Sequence, residues 1–362
     1  MRFLVAGLVL IVLGLTLTEY TRRRAAPDVE TKADDGDAPA KKKPKLPAKA
    51  ASLLEVGPPD ATPNAPADAA AALLATLKAG GPAVDGFTPL LAGDFKARQL
   101  RATGFGAAIL SVDVGDGSAL FRLEPDAPPK LLLARARRIT ALTLDASALF
   151  FAEGGAVYAS SSRGDAPQPR VSFTRAVVTS LAASGDDLVA TVVPANAVDS
   201  SDAVGAVVRI DAAGELSLLA MEQVKPRGVL TDGKEAFWLA DGLWRAALDG
   251  AFSSRLAEGA QAPLALDGDT LVVGAKGEVR RLSRAGGKQQ ALAAVEASAL
   301  VSSSGLVRFA SAETPAKLYQ VTAGAEPTAL TTLPGPVSAM ALDGTTLFLL
   351  TTDATGVVLL AK

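Results

Sequence analysis

A short unit of apolar strand, tight turn and second apolar strand recurs along most of this sequence, and it restricts the fold more than any other feature. Successive copies lie 35 to 47 residues apart. Their first turns fall near Gly104, Asp145, Gly185, Asp232, Asp267, Ser304 and Asp343. Several of these turns carry Asp-Gly between short strands, which is a direct signal for a β-hairpin. The repeat therefore predicts an all-β chain built from small antiparallel sheets.

The spacing matches the four-stranded blade of a β-propeller. Seven copies predict a seven-bladed propeller over residues 84–362, with six or eight blades as the alternatives. The last copy ends after three strands, which would leave an unpaired sheet edge. We expect the apolar segment 86–91 to supply the fourth, outer strand of the last blade and so to join the two ends of the array.

The strand–Asp-Gly–strand copies, such as Leu230–Leu248, resemble the short-repeat propellers of the NHL and YWTD type. The resemblance covers about three quarters of the chain. It implies the propeller architecture and says little about function, because propellers have binding, signalling and enzymatic roles. The YWTD motif itself is absent, and its nearest counterpart is residues 237–240, so the resemblance implies no ligand-binding residue.

The first 20 residues predict a membrane anchor or a signal sequence. An apolar run of about 16 residues extends from Phe3 to Thr18, which is short for a membrane span and also fits a signal-peptide core. No small-residue cleavage motif precedes Arg22, and this favours an uncleaved signal-anchor helix over a cleaved signal. The chain is therefore expected to be membrane-anchored.

Two patterns disagree about the side of the membrane on which the propeller lies. The three arginines 22–24 follow the apolar run, and the positive-inside rule then favours a cytoplasmic propeller. A basic start, an apolar run and a long polar region are typical of exported proteins. We expect an extracytoplasmic, periplasmic propeller, with the cytoplasmic side as the alternative.

Residues 21–83 predict a disordered linker rich in Ala, Pro, Lys and Asp, because such a composition buries too little apolar surface to offset the entropy of ordering. Within it, residues 67–79 predict one short helix that ends before Gly80-Gly81-Pro82.

The composition excludes several kinds of chemistry. The chain contains no Cys and no His, so thiolate metal sites, cysteine nucleophiles and Ser-His-Asp triads are absent. A net charge of −2 gives no overall attraction to nucleic acid. The predicted innermost strands carry Ala, Leu, Thr and Ser without a carboxylate before the turn. We therefore expect no cofactor, no bound metal and no catalytic residue.

Two groups of residues are candidate binding sites. Arg101, Arg138, Arg175 and Arg227 lie near the starts of successive innermost strands, which in a propeller open onto one face, so they predict a basic arc for an anionic protein or polymer. Solvated loop charge is the alternative. A loop inserted between a second and a third strand carries Asn196, Asp199 and Asp202; a Ca²⁺ site and a plain polar loop are its two interpretations.

The sequence thus favours a membrane-tethered, non-enzymatic binding or scaffold propeller of the cell envelope. A cation-dependent envelope hydrolase or lactonase on the same fold and a cytoplasm-facing sensor propeller are the alternatives. The oligomeric state has no sequence signal.

Overall fold

The computed structural model describes residues 48–58, 71–73, 75, 84, 86–145, 148–250, 252–353 and 356–361. The predicted anchor, residues 1–20, and most of the predicted linker lie outside these ranges. Residues 71–73 and 75 are helical, and the rest of the helix predicted over 67–79 lies outside them. Among the residues described, no helix is both long enough and apolar enough to span a bilayer.

The described strands form seven four-stranded antiparallel sheets. Sheet 1 contains β2 (Ala97–Ala102), β3 (Ala108–Val114), β4 (Gly117–Glu124) and β5 (Ala127–Arg135). Sheet 2 contains β6 (Ile139–Asp145), β7 (Ala148–Glu153), β8 (Ala156–Ser161) and β9 (Gln168–Ser172). Sheet 3 contains β10 (Ala176–Ser184), β11 (Asp187–Pro194), β12 (Val204–Ile210) and β13 (Leu216–Val224). Sheet 4 contains β14 (Arg227–Thr231), β15 (Glu235–Leu239), β16 (Gly242–Ala247) and β17 (Ser254–Glu258).

The remaining sheets follow the same order. Sheet 5 contains β18 (Ala260–Asp267), β19 (Thr270–Ala275), β20 (Glu278–Ser283) and β21 (Gln290–Ala293). Sheet 6 contains β22 (Ala297–Ser303), β23 (Leu306–Ser311), β24 (Lys317–Thr322) and β25 (Thr328–Thr332). Sheet 7 contains β26 (Val337–Asp343), β27 (Thr346–Asp353), β28 (Gly356–Ala361) and β1 (Thr88–Gly93).

The first strands of the sheets pack side by side in a closed ring, from β2 through β6, β10, β14, β18 and β22 to β26 and back to β2. Neighbouring first strands run in the same direction: the Gln99 side chain donates to the Thr140 carbonyl, and Arg101 donates to the Leu142 carbonyl two residues further along both strands. The fold is an all-β propeller. We call the side on which these innermost strands begin the leading face.

The first and last strands of the propeller meet in sheet 7, where β1 pairs antiparallel with β28 as the outer strand of the sheet. This confirms the strand expected from segment 86–91. Leu91 is fully buried and Leu90 nearly so, in an apolar cluster shared with Phe121 of sheet 1 and Phe348 of sheet 7. The first strand of the domain therefore pairs with the last strand and also fills the space between sheets 7 and 1.

We predict that a chain beginning at residue 97 is less stable than one beginning at residue 84. Both lack the N-terminal segments, but only the shorter one loses β1, whose two buried leucines contribute about 4 kcal/mol. For a domain of this size we expect a fall in Tm of about 8 to 16 °C, measured by calorimetry. Equal melting temperatures of the two chains would show that β1 does not hold the ring closed.

The aspartates in the turns after the innermost strands take two different roles. Asp232 accepts hydrogen bonds from the N–H groups of Lys234 and Glu235, as in an Asx turn. Burial raises its pKa, but these two bonds and the Arg284 guanidinium outweigh burial, so its pKa lies below the usual value. Asp267 instead reaches the next sheet, where it accepts hydrogen bonds from the Ser302 hydroxyl and the Gly305 N–H.

Asp343 makes the same connection between sheets 7 and 1. Its buried carboxylate accepts three hydrogen bonds from the turn between β2 and β3. The donors are the hydroxyl of Thr103 at 3.1 Å and the N–H groups of Phe105 at 2.9 Å and Ala107 at 3.2 Å. Asp343, the last residue of β26, therefore holds the first turn of the neighbouring sheet.

We predict that Asp343→Ala destabilises the protein by about 3 kcal/mol, because it removes a buried charged acceptor and leaves the buried Ala107 N–H unpaired. The matched control is Asp116→Ala, an exposed aspartate in the turn between β3 and β4, for which we expect a change within about 0.5 kcal/mol. Urea unfolding measures both values. A similar small effect of the two substitutions would contradict the role given to Asp343.

A buried ion pair joins sheets 1 and 2. The Arg135 guanidinium and the Glu153 carboxylate are 3% and 0% exposed, and Arg135 lies 4.9 Å from the ring centre of Tyr158. Because each charge has a partner, neither is left uncompensated in the interior.

Candidate functional site

Three of the four predicted arginines lie at the leading face on adjacent sheets. Arg138 immediately precedes β6, Arg175 immediately precedes β10, and Arg227 is the first residue of β14. All three side chains are exposed. We call these three residues the basic arc. Each arginine is the first residue of an innermost strand or directly precedes it. The ring of innermost strands therefore sets the backbone positions of the arc.

Arg101 does not lie with the arc. It is the fifth residue of β2, well inside the strand, and its side chain lines the central cavity. Its Nε donates to the Leu142 carbonyl at 3.1 Å and its Nη1 donates to the Leu100 carbonyl at 3.0 Å. Burial lowers the pKa of the Arg101 guanidinium below its ordinary value. The sequence predicts Arg101 near the start of an innermost strand, but β2 begins at Ala97, so Arg101 lies inside the strand.

The inserted loop lies beside Arg175. Residues Ala195–Ala197 form a short 3₁₀ helix after β11, and the Ala195 N–H donates to the Arg175 carbonyl at 2.9 Å. At the other end of the loop, the Lys225 N–H donates to the Ala203 carbonyl. The loop therefore lies between Arg175 and the connection that leads to Arg227, and the two sequence candidates belong to one surface.

The polar residues of this loop point to solvent and do not converge. Asn196, Asp199 and Asp202 are all exposed, and Asp202 accepts a hydrogen bond from the neighbouring Ser201 hydroxyl at 3.2 Å. Within the described ranges, no group of three or more Asp, Glu, His or Cys side chains could hold a metal ion. The loop thus has the geometry of a polar surface loop.

A segment of the predicted linker packs on the same surface. Residues Ala48–Leu53 form helix α1, and Leu53 and Leu54 are buried against the apolar cluster between sheets 2 and 3. Val56 forms a β-bridge with Phe173 beyond β9. Residues 48–57 are therefore packed against the propeller, within the segment 21–83 for which the sequence predicts a disordered linker.

This segment brings a carboxylate to the basic arc. The Glu55 carboxylate lies 3.3 Å from Arg175 Nε, with side chains 51% and 69% exposed. Leu53, Arg175 and Asn196 line one pocket of about 490 Å³ beside it. An exposed pair of this kind contributes at most about 1 kcal/mol, so Glu55 can be displaced from Arg175 by another carboxylate.

The docking of residues 48–57 and the cavity position of Arg101 had only weak signals in the sequence. The adjacent Leu53 and Leu54 are a pair of large apolar residues in a stretch otherwise rich in Ala, Pro and Lys. They are buried because the junction of sheets 2 and 3 offers apolar surface, which only the assembled propeller contains.

No family model matches this chain, and no curated protein matches it. Solved structures resemble it in fold. One is the β-propeller domain of Cps50 (Swd1) from Myceliophteria thermophila, with a TM-score of 0.56 and 14% identity, covering 77% of this chain and 98% of that one. Another is an acylaminoacyl peptidase, with a TM-score of 0.56 and 12% identity, covering 74% of this chain and 51% of that one.

A third is the extracellular domain of the putative hybrid two component system BT4673 from B. thetaiotaomicron, with a TM-score of 0.54 and 13% identity. The match covers 74% of this chain and 38% of that chain, so this chain spans well under half of it. At these identities the likeness shows the propeller fold and nothing about function.

We predict that Leu54→Asp releases the docked segment. Burial of Leu54 contributes about 2 kcal/mol, so its loss raises the rate of tryptic cleavage after Lys49 at least about tenfold. Ala51→Asp, at an exposed position of α1, is the matched control and leaves the rate unchanged. Mass spectrometry over a digestion time course gives both rates, and equal rates would contradict the docking.

Proposed function

We propose that this protein is a non-enzymatic binding or scaffold propeller whose leading face receives an acidic segment of a partner protein. The observation that carries the proposal is the Glu55–Arg175 contact, in which a carboxylate on a peptide segment already occupies one member of the basic arc. The other two members, Arg138 and Arg227, lie on the sheets to either side.

The arrangement suits a peptide better than a small ligand. The three guanidinium groups come from three adjacent sheets, so one extended segment with spaced carboxylates can meet all of them. Residues 55–57 of this chain bind beside Phe173 through backbone hydrogen bonds, in which the Gly57 N–H donates to the Ser172 carbonyl at 2.9 Å. Recognition of an extended segment through backbone pairing and charged side chains is a common mode of peptide binding.

The leading face carries positive charge at the basic arc, whereas the chain as a whole has a small negative net charge. Net charge is −2, so the arc attracts acidic partners only at short range. Arg98, which lies near the start of β2, is not part of this surface charge, because its hydrogen bonds to the Asp113 carboxylate raise its pKa and compensate it.

We propose that the seven sheets are seven blades of NHL or YWTD type, and that residues 1–20 tether the propeller to the extracytoplasmic side of a membrane. The Asp-Gly turns support the first: Gly268 and Gly344 both have a positive φ, as this turn requires. The apolar run from Phe3 supports the second.

The proposal predicts that the full chain binds poly-L-glutamate through the basic arc. In the triple variant Arg138→Gln, Arg175→Gln and Arg227→Gln, we expect affinity to fall about tenfold, because each exposed pair contributes a few tenths to one kcal/mol. Binding of the unmodified protein should weaken as NaCl rises from about 50 to about 200 mM, since exposed charges are screened. Glu55→Gln should strengthen binding, because it frees Arg175.

The matched control carries the same change in net charge away from the leading face. It combines Arg163→Gln, Lys234→Gln and Lys288→Gln, three exposed residues in turns on the opposite face. Biolayer interferometry measures all four proteins. An equal loss in the two triple variants, or no binding by the unmodified protein, would overturn the proposed function.

A further inference from the structure

The innermost strands enclose a cavity of about 660 Å³ along the axis of the ring. Its wall is mainly apolar, with Val229, Leu264, Leu300 and Met340 as examples from four different sheets. A volume of this size is within the range of small-molecule sites, and such sites combine an apolar wall with few polar groups.

Three serine hydroxyl groups of the wall form hydrogen bonds within the protein. The Ser180 hydroxyl accepts a hydrogen bond from the Val229 N–H at 3.1 Å. Ser298 and Ser338 donate to the carbonyls of Ala310 and Leu350 on the neighbouring strands. These side chains are uncharged, and part of their hydrogen-bonding capacity is used within the protein.

Arg101 is the exception. Among the described residues that line the cavity, it is the only one with a charged side chain. Two of its N–H groups donate to backbone carbonyls, and it forms no ion pair with a carboxylate in the described part of the chain. Arg135, by contrast, is buried together with Glu153. A guanidinium in an apolar wall without a counter-ion favours an anion supplied from outside.

We propose that the central cavity binds a small organic anion, with its carboxylate or sulfonate group on Arg101 and its apolar body against the wall near Met340. Arg101 retains N–H groups beyond the two that donate to Leu142 and Leu100, and a guanidinium pairs well with a planar carboxylate. This site is separate from the basic arc, so neither depends on the other.

Methionine methyl NMR can test this site in the full chain. The protein has three methionines, of which Met340 lines the cavity and Met221 lines the pocket beside Arg175. The ligands are octanoate, octan-1-ol as the uncharged analogue, and acetate as the anion without an apolar body. The Met340 signal is assigned by its absence in Met340→Leu.

We expect octanoate to shift the Met340 signal saturably, and to bind at least about tenfold more tightly than octan-1-ol or acetate. Arg101→Gln should weaken octanoate binding about 10- to 100-fold and leave octan-1-ol unaffected. Arg163→Gln, an exposed arginine outside the cavity, is the matched control and should bind as the unmodified protein does. Arg101→Lys keeps the charge and should keep part of the preference.

Equal affinities for octanoate and octan-1-ol would overturn the proposal and show an apolar cavity only. A shift of Met221 without a shift of Met340 would also overturn it, by placing the ligand at the leading face. If Arg101→Gln does not fold, the ligand comparison in the unmodified protein and in Arg101→Lys still decides between these outcomes.

Discussion

The pairing of β1 with β28 is the interaction on which the rest of this structure depends. The ring closes only if the last sheet is complete and packs against the first. Here β1, from the start of the propeller, completes sheet 7 beside β28 and leads on to β2 of sheet 1. The same junction is held at its inner side by Asp343, whose carboxylate bonds the turn between β2 and β3. Backbone pairing thus completes the outer edge of sheet 7, and the hydrogen bonds of Asp343 hold the inner side of its junction with sheet 1.

Closure of the ring determines where the charges lie. Because the innermost strands all run in one direction, residues at their starts share a face even when they are tens of residues apart in sequence. Arg138, Arg175 and Arg227 are in this position, in water, where repulsion between like charges is weak. Arg101 is a few residues further along its strand, and this small offset moves its guanidinium from the leading face into the cavity.

The segment that precedes the propeller adds a further layer to this surface. Leu53 and Leu54 fasten it to the apolar junction of sheets 2 and 3, while Glu55 contacts Arg175 through an exposed and easily exchanged ion pair. Because the two leucines hold the segment and the ion pair is weak, the segment can stay bound while another carboxylate takes the place of Glu55 at Arg175.

The sequence by itself determined the sheet class, the repeat, the apolar innermost strands and the closing strand from segment 86–91. It could do so because these follow from local patterns: alternating apolar residues, Asp-Gly turns and an incomplete last copy. It also brought Arg138, Arg175 and Arg227 together, since strand starts are visible as local features.

Only the tertiary structure decided what Arg101, Asp267, Asp343 and residues 48–57 do. Each of them acts on a different sheet from its own, or on the junction between two sheets: Asp343 bonds a turn about 240 residues earlier in the chain. Such contacts depend on which sheets become neighbours and on an offset of one or two residues along a strand. A local sequence pattern shows neither the neighbouring sheet nor this offset, because these contacts form only when the ring has closed.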